Sequence, residues 1–248
     1  MADEMPMGRL RVLNVAVGLA HLVQAAVILW LSNSFALPVT GSFLSGPPGS
    51  GAGEPSVLFD LRIGPLVAVF LLLAAVDHLL MATPGVCGWY EANLRRGRNV
   101  ARWIEYSVSA SLMVVLIAML TGISDIAALI AIFGVNSAMI LFGLQMERRE
   151  RPGGADWTDY WFGCIAGAVP WIAIGTYLLA GEEAPGFVYA IFVSLFVLFN
   201  SFAVNMVLQY RRVGPWARPL FPETAYIVLS LAAKSALAWQ VFASTLMG

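Results

Sequence analysis

Seven long apolar runs account for most of this chain: residues 12–31, 61–81, 101–121, 123–146, 160–180, 186–209 and 224–247. At a rise of about 1.5 Å per residue, each is long enough to cross a hydrocarbon core as a helix. A helix is favoured there because it satisfies its own backbone polar groups. Hydrophobic residues make up 59% of the chain and charged residues 12%, the latter about half the share of a soluble domain. The reading is an all-α membrane protein: one multi-pass domain over residues 1–248, folded as a seven-transmembrane-helix bundle. The N-terminus, MADEMPMGRLRV, carries acids and arginines and no small-residue cleavage site, so the first run is expected to stay as a helix.

Charge sets the expected orientation. Arg9, Arg11, Arg95, Arg96, Arg98, Arg102, Arg148, Arg149, Arg151, Arg211, Arg212 and Arg218 all fall on one side of the seven runs. The other side has only Arg62, with Glu54, Asp60, Asp125, Glu182 and Glu183. The positive-inside rule then predicts a cytoplasmic N-terminus and an extracellular C-terminus. The one long loop, 32–60, opens with SFALPVTGSFLSGPPGSG. Its β-prone residues alternate with Gly/Pro turn signals, which predicts a short external β-hairpin, with a flexible linker as the alternative. The third loop, around Gly122–Ser124, is so short that the third and fourth runs must form an antiparallel pair.

Inside the last run stands the only lysine of the chain, Lys234. A lysine in mid-membrane costs about 2.5–3.5 kcal/mol on insertion scales and is functional by default. A desolvated lysine is also a nucleophile for a Schiff base with a carbonyl compound. Glu105 lies one turn into the third run, stacked with Ser109 and Met113 on one helix face. It is either an interfacial acid paired with Arg102 three residues earlier or a carboxylate kept charged by a cation across the bundle, with Lys234 as that cation. Ser230, one turn before Lys234, either bonds its own backbone or presents a hydroxyl to the lysine nitrogen.

Further polar residues lie within the spans. His21 and His78 sit in the first and second runs, and Asn14, His21 and Gln24 fall roughly on one face. That pattern points to a polar, hydrated cavity able to take a proton and hold it. Asp77 points about 100° away from His78 on the same helix, and its surroundings cannot be read from the sequence. Tyr106, Met113, Met139, Trp161, Trp171, Phe199, Phe202 and Trp239 are candidate walls for a conjugated ligand, against the ordinary role of such residues as core or belt. Asn136 needs a polar partner in lipid. Gly163 and Gly167 form a GxxxG that permits close helix approach, within the bundle or across a dimer. Cys87 and Cys164 imply no disulfide framework, and no zinc-type spacing, phosphate-binding loop or GxSxG is present. No enzyme and no nucleic-acid partner is expected.

These blocks together resemble the heliorhodopsins. The likeness runs through HLVQ (21–24), SFALPVTGSFLSGPPG, RWIEYSVSASLMVVLIA around Glu105, AIFGVNSAMILFG, WFGCIAGAVPWI, PGFVYAIFVSLF and AYIVLSLAAKSALAWQ (225–240). The resemblance implies all-trans retinal bound covalently as a Schiff base on Lys234, with Glu105 as counterion and light driving isomerisation to the 13-cis form. It places His21, His78, Ser230, Asn14, Gln24 and Trp239 around a polar cavity. Tyr106, Ser109, Met113, Asn136, Met139, Ile140, Trp161, Pro170 and Phe199 would form the retinal pocket. It also implies a homodimer among membrane lipids, with the hairpin and the fourth and fifth spans at the interface, in the plasma membrane.

Function divides three ways: a light sensor with a slow photocycle and an unidentified cytoplasmic signalling partner, a light-driven or light-gated proton transporter or channel, and a seven-helix protein without retinal. Microbial pumps, which are similar in helix number, carry a second carboxylate one turn before the lysine, where this chain has Ser230. They also commonly carry a carboxyl donor about three turns beyond the first counterion, where Leu116 stands here. The sensor reading is preferred, and without retinal the aromatic slot has no explanation.

Overall fold

The structure is a computed structural model and describes residues 7–51, 53–181 and 184–246. Glu182 and Glu183, counted above with the outer acids, and Met247, the expected end of the last span, lie outside the described residues. Among the described residues, seven helices are long and apolar enough to cross a membrane: α1 (Met7–Leu31), α2 (Ile63–Ala82), α4 (Val100–Leu120), α5 (Ile126–Arg149), α6 (Thr158–Ala180), α7 (Gly186–Tyr210) and α8 (Phe221–Leu246). Their mean hydropathy runs from 1.4 to 2.2. The chain is a multi-pass integral membrane protein. α1 extends ahead of Val12 through Arg9 and Arg11, which continue the helix beyond its apolar part, and Arg11 Nε donates to the Ala82 carbonyl at the end of α2 at 2.8 Å.

Two elements differ from the sequence reading. The second loop, for which the sequence reading named no element, contains a helix, α3 (Pro84–Arg95). Pro84 occupies its first turn, where a missing N–H does no harm, and Tyr90 and Asn93 are buried against the bundle. The predicted hairpin is present, but its return strand comes from further on. β1 (Ala36–Gly41) pairs antiparallel with β2 (Ser56–Arg62), and the Gly/Pro-rich stretch forms the connection. The last residues of β2 are the ones expected to begin the second span. β1 is tied to the α4–α5 turn: Thr40 N–H donates to the Ser124 carbonyl at 2.8 Å, and the two hydroxyls meet at 3.0 Å.

The α4–α5 turn is as tight as expected. Gly122 adopts φ +96°, a region open to glycine at little cost, and Asp125 caps α5 by accepting from the N–H groups of Ala127 and Ala128. α1 packs on α2, α5 on both α4 and α6, and α8 on α7 and α1. α4 is the central helix: 61% of its apolar window is buried, against 17–44% in the other six.

Small residues let α5 approach its neighbours. The indole of Trp103 lies against Gly143, where an added Cβ would fall 2.4 Å from the ring. Gly163 and Gly167 face Met139 of α5, with an added Cβ 3.4 Å from its carbonyl oxygen and 3.0 Å from its Cγ respectively. The GxxxG is therefore used inside the bundle. Gly143→Ala is expected to lower stability by about 1–3 kcal/mol through overpacking, seen as a lower melting temperature in detergent. Gly134→Ala, at a site with nothing within 4 Å, should be neutral or slightly stabilising.

Candidate functional site

The site is built where α8 faces α4. Lys234 Nζ donates to Glu105 Oε1 at 2.9 Å and Oε2 at 3.0 Å, and lies 3.2 Å from Ser230 Oγ. The two side chains are 4% and 7% exposed. Nζ also sits 4.8 Å from the centre of the Tyr106 ring, a cation–π distance. Tyr106 is held in turn by its hydroxyl, which donates to the Tyr226 carbonyl at 3.1 Å. The nitrogen is thus oriented by a carboxylate, a hydroxyl and an aromatic face on two helices.

Arg102 does not pair with Glu105. Its guanidinium bridges Glu147 of α5 and Glu223 of α8, and all three are buried. Arg102, counted above with the loop arginines, therefore belongs to the interior, because two carboxylates from other helices outcompete a neighbour one turn away. Glu147 also accepts from the Asn99 backbone N–H at 2.9 Å. Glu223 accepts from Asn99 Nδ2 at 2.7 Å and from the Tyr90 hydroxyl at 3.0 Å. The guanidinium stacks 3.9 Å over the Tyr226 ring. Sequence reasoning missed Glu147, Glu223, Asn99 and Tyr90; the available signal was two acids abutting apolar runs on the arginine-rich side.

A cavity of about 300 Å³ leads away from Lys234 between α4, α5, α6 and α7. Of the residues expected in the pocket, Tyr106, Met113, Met139, Ile140 and Phe199 line it. Ser109 and Asn136 are fully buried but do not line it. Asn136 Nδ2 instead donates to Ser111 at 3.0 Å, while its Oδ1 is buried without a hydrogen-bond partner among the described residues. Pro170 lies in α6 beside the wall residue Trp171 and is not part of the wall. Trp161 is 61% exposed, since the wall face of α6 runs through Tyr160, Gly163, Cys164, Gly167 and Trp171, about 100° from it. Trp103, Phe196 and Phe202 also line the cavity.

The residues of the expected polar cavity fall in three places. His21 and His78 stack with ring centroids 5.9 Å apart and planes 11° apart. Asn14 donates to the Leu10 carbonyl, leaving its Oδ1 to accept from His78 Nδ1 at 2.8 Å. In a neutral His78 this places the proton on Nδ1 and the free lone pair on Nε2. Both nitrogens of His21 are buried without a hydrogen-bond partner among the described residues. Gln24 and Trp239 lie on the α1–α8 seam and bond each other at 3.0 Å, with Trp239 40% exposed. Ser230 faces the large cavity beside Lys234.

The heliorhodopsin family model matches residues 10–246. The chain belongs to the heliorhodopsin family. That family is one of retinal photoreceptors, and membership implies a retinal chromophore bound as a Schiff base. The crystal structure of a light-driven proton pump, LR (Mac), from Leptosphaeria maculans is similar at a TM-score of 0.69. It covers 98% of each chain at 18% identity, a level that shows a shared fold alone. No curated protein matches the sequence. The residues fit such a chromophore. The cavity is walled mainly by aromatic and aliphatic side chains, ends at the single lysine, and has a volume at the lower end of ligand pockets.

Removing the central cation of the second cluster tests how far the bundle depends on it. Arg102→Met leaves two buried carboxylates without a countercharge and is expected to cost about 3–5 kcal/mol. Glu147→Gln, which keeps the Arg102–Glu223 pair, should cost less. Thermal unfolding in detergent, followed by helical circular dichroism, ranks the two.

Proposed function

We propose that this protein is a light sensor whose chromophore is attached at Lys234, with Glu105 as counterion. The single observation that carries this reading is the Lys234–Glu105 contact at the closed end of an aromatic cavity. When bound, all-trans retinal supplies absorption of visible light and isomerisation to the 13-cis form. The protein's own residues do the rest. Glu105 holds positive charge on the Lys234 nitrogen, and Ser230 offers that nitrogen a hydroxyl 3.2 Å away. Tyr106 closes the remaining side. A proton leaving the nitrogen has polar groups to go to on the arginine-rich side, around Asn14 and His78. On the other side Met113, Leu116 and Ile117 of α4 are buried and apolar, which opposes passage across the membrane. The photocycle is accordingly a proton excursion and return, slow enough to signal.

The membrane of this reading is the plasma membrane. The arginine distribution supports a cytoplasmic N-terminus, and the arginine-rich ends of the helices then form the face open to a signalling partner. A homodimer would use outward residues of α6 such as Ile165 and Ile172, both 67% exposed, because the glycines of the GxxxG are occupied by Met139. The alternative is a light-driven or light-gated proton transporter.

Adding all-trans retinal to the wild-type protein should give a visible band. Lys234→Ala should lose it, and an unchanged band in that variant would remove the attachment site. Glu105→Gln should shift the band and weaken proton binding at the nitrogen. In illuminated cells or vesicles, no pH change sensitive to a protonophore is expected, and a sustained one would establish transport instead.

A further inference from the structure

Five acidic side chains stand on the spanning helices among the described residues. Glu105 pairs with Lys234, Glu147 and Glu223 share Arg102, and Asp159 lies 3.8 Å from Arg149. Asp77, on α2, is the fifth. It is half-buried, and no hydrogen bond or ion pair among the described residues satisfies its carboxylate. An unpaired carboxylate within a membrane helix is expensive and marks a functional position by default.

Asp77 lines a second, smaller cavity of about 10 Å³, together with Asn14, His78, Tyr106, Arg102 and Glu223. That volume is close to the space one water needs, and the polar walls supply the two to four partners a buried water makes. The cavity lies on the arginine-rich side of Lys234, one Tyr106 ring away from it. The charged and titratable groups around Asp77 come from every packed element. His21 stands on α1, His78 on α2 and Tyr90 on α3, while α4 contributes Arg102, Glu105 and Tyr106. Glu223 and Lys234 come from α8. Of the four charged neighbours, Arg102 and Glu223 bond each other, as do Lys234 and Glu105. A proton arriving at Asp77 therefore breaks no ion pair, whereas one arriving at Glu147 or Glu223 would weaken the hold on Arg102.

We propose that Asp77 is the group that holds the proton given up by the Lys234 nitrogen, and that a water in the small cavity is the carrier that delivers it to the carboxylate. The step rests on the chromophore reading above. In it the N–H bond at Lys234 breaks and an O–H bond forms on the Asp77 carboxylate. The positive charge at the nitrogen and the negative charge at Asp77 are both lost, and nothing is oxidised or reduced. Glu105 touches the nitrogen, so a proton resting there would return at once; at Asp77 it is separated by a water and a phenol ring. Separation makes the excursion long-lived without opening a path across the bundle.

The test uses the full-length protein regenerated with all-trans retinal, as wild type and Asp77→Asn. Light-minus-dark infrared difference spectra are recorded alongside flash-induced visible absorption. In the wild type, the C=O stretch of a newly protonated carboxyl should rise as the nitrogen loses its proton. It should shift when aspartate carboxyls are labelled with carbon-13. In Asp77→Asn the dark visible band should persist and the infrared band disappear. Loss of the proton should slow by about a hundredfold, the lower end of what a positioned base contributes. The proposal is overturned if the carboxyl band survives in Asp77→Asn, if it ignores aspartate labelling, or if it is negative, with the carboxyl protonated in the dark. The labelling arm needs only wild-type protein and holds even where the variant does not fold. Absence of any visible band in the wild type would refute the chromophore reading itself, so the two failures are told apart.

Discussion

A charge inside a membrane helix must find its opposite within the bundle, and the packing of this protein around α4 follows from that demand. Lys234 alone would be costly to insert. Against Glu105, with a hydroxyl and an aromatic face completing its shell, it becomes a fixed cation at the end of a cavity. Breaking such a pair by removing one partner is far more damaging than replacing both. The pair therefore ties α8 to α4 and sets the depth at which the ligand end of the cavity lies. Arg102 repeats the principle one turn nearer the arginine-rich end, where it gathers α4, α5 and α8. The two clusters are joined by Tyr106 and Tyr226: one ring faces Lys234, the other lies under Arg102, and a hydrogen bond connects the residues.

This arrangement makes the bundle asymmetric along its length. Towards the arginine-rich end the interior is polar, with Asn14, the stacked histidines, Asp77 and the Arg102 cluster. Towards the hairpin end it is filled by Val114, Leu116, Ile117 and Ala118 of α4, packed against aliphatic residues of α1 and α2. A proton moving in this protein has groups to visit on one side and a dry core on the other. A shared seven-helix fold with a proton pump does not alter that, since direction of transport resides in the placement of carboxylates and water, not in helix number.

Much of the fold was legible because hydrocarbon leaves few choices. Run length and hydropathy located seven spans. Lys234, Glu105 and Ser230 were legible for a related reason: a lone cation in lipid demands a carboxylate, and few were available. The hairpin was legible in kind, but its register was not, because pairing with residues 56–62 depends on a strand that also reads as the start of an apolar run. α3 was hidden, as its buried Tyr90 and Asn93 are recognisable only once Glu223 and the helix ends are in place. Trp161 shows the limit for aromatic residues: being apolar in a span does not say which face it occupies.

By itself, then, the sequence determined the number of spanning helices, their alternation and the identity of the one residue able to form an imine on a side chain, because these depend on composition and on free energies of transfer. Only the tertiary structure decided which acid answers which cation. Arg102 and Glu105 are one turn apart and look like partners, yet each is bound to another helix. Pairing inside a membrane is set by which groups are desolvated together, and three-dimensional packing alone determines that. The same holds for Asp77, an unplaced acid in the sequence and, in the folded bundle, the carboxylate beside a water-sized cavity with no cation to itself.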